Sequence, residues 1–147
     1  MVPAVGVHQN VGVDERALIE EFLEGEVFAV AGASPDRAKY GNKVLRCYMQ
    51  AGREVIPVNP RGGEVEGLAC VPDLQSLGVE VDGLSIITPG AVTEALVEQA
   101  AGVGISRIWV QPGAEFPGMA ERCAELGISC IWGGACLLVV LGFLDGS

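Results

Sequence analysis

Residues 26–63 read EVFAVAGASPDRAKYGNKVLRCYMQAGREVIPVNPRGG, and they carry the architecture in miniature. Glu26–Ala31 is a short apolar run halted by Gly32, the pattern of a buried strand. A polar loop follows. Asn42 is then placed to cap a helix with Val44, Leu45 and Tyr48 on one face, closed by Gly52. Arg53–Val58 is a second apolar strand, ended by Asn59-Pro60-Arg61-Gly62-Gly63. A strand, a helix and a strand without a hairpin turn between them form a right-handed βαβ unit, whose two strands run parallel.

The same alternation continues on both sides. Upstream, Asp14 is a candidate N-cap, and Leu18, Ile19, Phe22 and Leu23 recur at helical spacing until Gly25. Downstream, residues 64–81 are rich in turn formers, with one helical turn expected at Asp73–Leu77. Gly83–Thr88 is expected as a strand, Ala91–Ala101 as a helix, Arg107–Gln111 as a strand, Met119–Leu126 as a helix and Ile128–Trp132 as a strand. These elements predict an α/β fold, a Rossmann-like three-layer sandwich around a five-stranded parallel sheet of order 3-2-1-4-5. Near-continuous apolar strands agree, since such a sheet is covered on both faces. Residues 1–13 have no periodicity and are expected to be a flexible segment before one domain over 14–147.

Composition removes several classes of function. Half of the 147 residues are hydrophobic and 19% are charged, which excludes a disordered chain. Aromatic content is only 5%, so an aliphatic core is expected. A net charge of −10 argues against nucleic acid as partner. The lone histidine, His8, leaves no basis for His-dependent triads or metal sites. Cys47, Cys70, Cys123, Cys130 and Cys136 are odd in number and show no CxxC spacing, so reduced thiols in a cytoplasmic protein are expected. Ile128–Leu144 is almost wholly apolar, but it sits at the short limit for a membrane span and glycines interrupt it, so no membrane insertion is expected. Leu137–Leu144 has seven apolar residues in eight and is expected to pack against its copy in a homodimer.

In a parallel sheet, ligands sit beyond the carboxyl ends of the strands, so the turns there are the candidate chemistry. The turn after the first strand lacks the G-x-G-x-x-G fingerprint, because Gly32 is followed only by Gly41. The second strand ends in Asn59-Pro60-Arg61, where NAD-binding proteins place a carboxylate for the ribose hydroxyls. A guanidinium suits a ribose bearing an extra phosphate, which points to NADP or to coenzyme A (CoA) with its 3′-phosphate. Residues 36–61 hold Arg37, Lys39, Lys43, Arg46, Arg53 and Arg61 against Asp36 and Glu54, a +4 island in an acidic chain. Such an island fits a small polyanion. Ser34 has no histidine to serve as its base, and Glu94 and Glu115 read as helix-start carboxylates. Cys136 follows glycines at the ligand edge, where it would meet a ligand thiol; a buried structural cysteine is the simpler reading.

The series GASP, a lysine-bearing helix, VIPVNPRG, Cys70-Val71-Pro72, a strand ending in TPG, and WVQPGAE resembles the small CoA-binding proteins of bacteria and archaea. Their domain is similar to the CoA-binding domain of the succinyl-CoA synthetase α subunit. The resemblance covers about residues 15–136 and is strongest in the pairing of GASP with VIPVNP. It implies that Gly32, Ala33, Ser34 and Pro35 line the CoA pyrophosphate and adenosine, and that Asn59, Pro60 and Arg61 flank the adenine and 3′-phosphate. Lys39 and Lys43 would approach the phosphates, and Ile87, Thr88, Pro89, Gln111, Pro112 and Gly113 would border the pantetheine path. The chain departs from the family in having Gly134-Ala135 before Cys136, where Asp-Arg is usual, and in its apolar tail. It also lacks any histidine after His8, so no acyl-CoA ligase chemistry is expected. The expectation is therefore a protein that binds CoA or acyl-CoA and is not itself an enzyme. The alternative is a small NADP-binding oxidoreductase or sensor.

Overall fold

The structure is a computed structural model, and it describes residues 15–133 and 136–145. Helix α1 (Glu15–Leu23) buries Leu18 and Phe22, one turn apart, and leads into β1 (Val27–Ala31). Then come α2 (Tyr40–Gln50), β2 (Glu54–Val58), the short strands β3 (Glu64–Val65) and β4 (Leu68–Ala69), and a 3₁₀ turn at Leu74–Ser76. The chain continues through β5 (Gly83–Ile86), α3 (Gly90–Gly102), β6 (Arg107–Val110), α4 (Met119–Leu126), β7 (Ser129–Ile131) and α5 (Leu137–Val140). The segment read as flexible, residues 1–13, and the cap assigned to Asp14 lie outside the described residues.

The α/β sandwich and its five parallel strands are as the sequence predicts, but the strand order is not. The sheet runs β2-β1-β5-β6-β7, so its five strands stand in the order 2-1-3-4-5 rather than 3-2-1-4-5. The third strand of the sheet pairs with β1 instead of lying outside β2. Two features account for this. β2 contains Pro57, which cannot donate to a further strand and belongs at an edge. The carboxyl end of its free edge is taken by Val71, whose N–H donates to the Pro57 carbonyl at 3.0 Å and whose carbonyl accepts from Asn59 N–H at 2.9 Å. By contrast, all four residues of β5 are buried, as an interior strand requires. The β3–β4 hairpin was also absent from the predicted elements, since its strands are too short to show a period.

The layers have different chemistry. Toward α3 and α4 the core is aliphatic, with Leu84, Ile86, Val97, Ile108 and Val110. Toward α1, α2 and α5 it gathers most of the few aromatics, which corrects the uniformly aliphatic expectation. Phe22 meets Trp109 edge-on with centroids 5.4 Å apart, and Phe28 stacks on Tyr48 at 4.9 Å. The buried Tyr48 hydroxyl is paired with Ser85 Oγ at 2.7 Å.

The tail expected to form a dimer contact belongs to the domain's own second core. Leu137 is fully buried, and Leu138, Leu141 and Phe143 pack beside it. Asp145 pairs with Arg46 at 3.1 Å and Lys43 at 3.3 Å, and the Arg46 guanidinium lies over the Phe143 ring at 5.1 Å. Gln50 bonds Leu144 through both its amide atoms. Only Val139, Val140 and Leu144 remain as exposed large apolar residues of this segment. Among the described residues, no helix is long and apolar enough to cross a membrane.

Asp82 ties the amino end of the sheet. Its Oδ2 accepts from Val27 N–H at 3.0 Å and Glu26 N–H at 2.8 Å, and these bonds hold its carboxyl below the ordinary carboxylate range. A carboxyl depressed by folding stabilises the native state above its unfolded value, and that contribution is lost as pH falls through the folded one. Asp82→Asn should therefore cost about 1 kcal/mol at neutral pH, discounted for partial exposure. The difference from wild type should shrink below about pH 4 in denaturant titrations.

Candidate functional site

The order 2-1-3-4-5 puts the topological switch point between β1 and β5, so their carboxyl ends open a crevice. At the end of β1, Gly32 takes φ +95°. Its N–H donates to the Val58 carbonyl at 3.3 Å, while Ile87 N–H closes onto the Ala31 carbonyl at 2.9 Å. The loop beyond is anchored by its carbonyls. Asn59 Nδ2 donates to Ala33 O at 2.8 Å, and Asn42 Nδ2 donates to Ser34 O at 2.9 Å. Asn42 is therefore not the cap of α2, which begins after Lys39; it is buried in the first turn and braces the loop. Its amide also reaches Glu66 Oε2 at 3.1 Å, and with Arg37 this holds the Glu66 carboxyl below its usual range.

The crevice has two connected parts. The first, of about 520 Å³, is walled by Gly32, Ala33, Ser34 and Lys39 on one side and by Asn59, Pro60 and Arg61 on another. Ile87 and Thr88 form its inner end, and Val92, Leu96 and Gln99 of α3 close it opposite Pro72 and Asp73. The second, of about 510 Å³, shares Ile87 and Thr88 and runs on past Pro89, Pro112 and Gly113 to Tyr40. A slightly larger hollow of about 580 Å³ lies at the amino end of the sheet, near Asp82 and Arg107. It sits away from the switch point, and Arg107 pairs there with Glu21 at 3.7 Å.

Most of the residues singled out from the sequence converge on this crevice, and three do not. Pro35 is exposed and lines neither part. Lys43 faces the tail and pairs with Asp145, because its place on α2 carries it away from the crevice. Gln111 is fully buried behind the second part, where its Oε1 accepts from Leu137 N–H at 3.1 Å and from the Tyr40 hydroxyl at 3.3 Å. Its Nε2 has no hydrogen-bond partner among the described residues. The basic island is also largely spent inside the fold. Arg37 pairs with Glu66, Arg46 with Asp145, and Arg53 serves the Leu23 and Gly25 carbonyls. Lys39 and Arg61 are the cations that face the crevice, exposed and without an ion pair among the described residues.

Sequence reasoning missed Tyr40, Asp73 and the α3 wall. Val92 of that wall is exposed, a property that no local pattern in the sequence shows. Tyr40 is half-buried, and burial together with its bond to Cys136 pushes its hydroxyl pKa well up. Cys136 Sγ lies 2.6 Å from Tyr40 Oη and is partly exposed, so it is not the buried structural thiol the sequence favoured.

The comparisons with known proteins agree with this geometry. A conserved hypothetical protein from Pyrococcus furiosus is 32% identical and superposes with a TM-score of 0.73, covering 78% of this chain and 99% of its own. The ADP-forming acetate–CoA ligase I of Archaeoglobus fulgidus is 31% identical over 81 residues, 55% of this chain. The chain spans only 12% of that ligase's length. The dinucleotide-forming acetyl-coenzyme A synthetase 1 of Ca. Korarchaeum cryptofilum, solved with phosphate and ADP, is 27% identical with a TM-score of 0.63. That superposition covers 73% of this chain and 25% of the synthetase. With residues 26–142 matching its CoA binding domain profile across the whole crevice, the chain belongs to the CoA binding domain family.

Proposed function

We propose that the chain binds CoA or an acyl-CoA along the two-part crevice and catalyses no reaction of its own. The observation that carries this reading is the continuity of the crevice at Ile87 and Thr88. One end offers exposed, uncommitted cations, Lys39 and Arg61; the other is lined by uncharged residues alone. CoA has the matching polarity, with a phosphorylated adenosine at one end and a neutral arm at the other. In this reading Gly32, Ala33 and Ser34 lie along the pyrophosphate with Lys39 beside them. Asn59, Pro60 and Arg61 surround the adenosine and its 3′-phosphate. Ile87, Thr88, Pro89, Pro112 and Gly113 border the pantetheine arm.

Calorimetric titration with CoA, dephospho-CoA, NADP and NAD tests the reading. CoA is expected to bind most tightly and NAD least. Tight NADP binding without CoA heat would replace it with the NADP-dependent alternative. The reading also keeps the chain cytoplasmic and has a homodimer meet through Val139, Val140 and Leu144, the exposed large apolar residues of the tail. A sedimentation mass that Val139→Asp leaves at one value, monomer or dimer, would exclude that interface.

A further inference from the structure

We infer that Glu66 is a positioning residue for the proposed ligand: it holds the Ser34–Lys39 loop in the form that accepts the CoA phosphates. The inference rests on the CoA reading and adds to it a residue outside the crevice. Among the described residues, Glu66 is the one non-glycine residue with positive φ, at +52°. Val65 pairs with Leu68, so Glu66 and Gly67, with φ +81°, are the two central residues of the β3–β4 turn. Two positive φ angles are the type I′ hairpin pattern, in which Asn-Gly is the favoured pair and a glutamate is strained. Such strain persists where the surrounding contacts over-determine it. Here those contacts lie outside the hairpin. The Glu66 Oε2 accepts from Asn42 Nδ2 at 3.1 Å and pairs with Arg37 Nε at 3.3 Å. One partner belongs to the loop between β1 and α2, the other to the first turn of α2.

That loop supplies Ser34 and Lys39 to the wall of the first part of the crevice. It contains neither helix nor strand, so bonds from its neighbours set its shape. Asn42 Nδ2 divides its hydrogens between the Ser34 carbonyl, at 2.9 Å, and Glu66. Arg46 Nε donates to Asn42 Oδ1 at 2.6 Å, and Arg46 Nη2 donates to the Arg37 carbonyl at 3.1 Å. The middle of the loop is thus gripped twice, by Arg46 on the Arg37 main chain and by Glu66 on its side chain. The hairpin is a firm support for this grip. Val65 is buried in the second core, and Cys70 N–H donates to the Gly63 carbonyl at 2.8 Å. Removing the carboxylate releases the Arg37 side chain and one Asn42 hydrogen, yet leaves the crevice cations Lys39 and Arg61 in the chain. The effect falls on the stretch assigned to the pyrophosphate and spares the adenosine end at Asn59-Pro60-Arg61. Its sign is diagnostic. By charge alone, losing an acidic residue near a polyanion site strengthens binding, whereas losing the grip on the loop weakens it.

The test titrates the full chain with CoA and with adenosine 3′-monophosphate, which lacks the pyrophosphate, and follows amide hydrogen exchange in the loop. Glu66→Asn builds the favoured turn pair but is too short to reach Arg37 and Asn42. Glu66→Gln keeps an acceptor for Asn42 and loses the charge that holds Arg37. Glu66→Asn should weaken CoA about tenfold, the loss when a freed loop spends about a tenth of its time in the binding form. It should leave adenosine 3′-monophosphate within about twofold and speed exchange of the loop amides, while β1 and β5 keep their protection. Glu66→Gln should fall between it and the wild type. Unchanged or tighter CoA binding in both variants would overturn the positioning role, as would equal losses for the two ligands. If β1 and β5 lose protection in Glu66→Asn, the near-isosteric Glu66→Gln carries the comparison. A wild-type chain that gives no CoA heat would overturn the CoA reading itself. Loop exchange in Glu66→Gln then still reads the grip, and an unchanged rate would overturn that too.

Discussion

Gly32→Val is expected to destabilise the domain by about 2–5 kcal/mol, a large part of the stability of an ordinary domain. Two terms add. Gly32 sits at φ +95°, which an L side chain reaches only at a cost of roughly 1–2 kcal/mol. A Cβ at that position would also stand 2.9 Å from the Ile87 carbonyl carbon and nearer still to its oxygen. Neither strand end can retreat, because Ile87 N–H is bonded to the Ala31 carbonyl. Overpacking against fixed backbone adds about 1–3 kcal/mol. From sequence, the same substitution is expected to remove binding with the fold intact; the Ile87 carbonyl makes it a folding defect as well. Gly62→Val supplies the control, since Gly62 also has positive φ, +69°, but opens onto free space. Urea denaturation of the two variants should differ by the overpacking term alone. Equal midpoints would show that Gly32 is not wedged against β5.

Arg61→Ala should weaken CoA binding by about 1.5–3 kcal/mol, roughly 10- to 150-fold, and leave dephospho-CoA nearly unchanged. Arg61 is the exposed guanidinium at the first part of the crevice, and its backbone is set by a bond from its N–H to Asn59 Oδ1 at 2.8 Å. No ion pair among the described residues has to break before it meets a phosphate. Its exposure places the effect toward the lower end at physiological salt and toward the upper end in dilute buffer. Lys39→Ala is the contrasting variant. Assigned to the pyrophosphate, which both ligands carry, it should weaken CoA and dephospho-CoA alike. An equal loss for both ligands in Arg61→Ala would mean that Arg61 does not read the 3′-phosphate.

The packing around Gly41 explains why the first turn lacks the usual glycine triplet. A Cβ on Gly41 would lie 2.9 Å from the Gly32 carbonyl carbon, so α2 starts directly against the end of β1. The two glycines that looked unrelated nine positions apart thus meet in space. They do together what closely spaced glycines do in the dinucleotide fingerprint, letting helix and strand approach.

The sequence by itself determined the alternation of strands and helices, the parallel sheet, and the two strand ends at Gly32 and Asn59-Pro60-Arg61. Those features depend on local quantities: apolar period, turn-forming residues and the φ freedom of glycine. The edge position of β2 had a local mark in Pro57, which cannot donate to a further strand, yet the order expected from sequence put that strand inside the sheet. Tertiary structure alone decided which cations are available, because pairing depends on what lies within reach of a side chain. Lys43 and Arg46 look like ligand contacts on a helix stripe until Asp145, about a hundred positions away, is brought beside them. The tail reads as an unpartnered apolar surface until α2 and the Trp109 side of the sheet supply its neighbours. The Tyr40–Cys136–Gln111 cluster joins three distant segments, and none of its members carries a local mark of the others. Periodicity is written along the chain, whereas hydrogen bonds and ion pairs between elements exist only once the sheet order has set which elements meet.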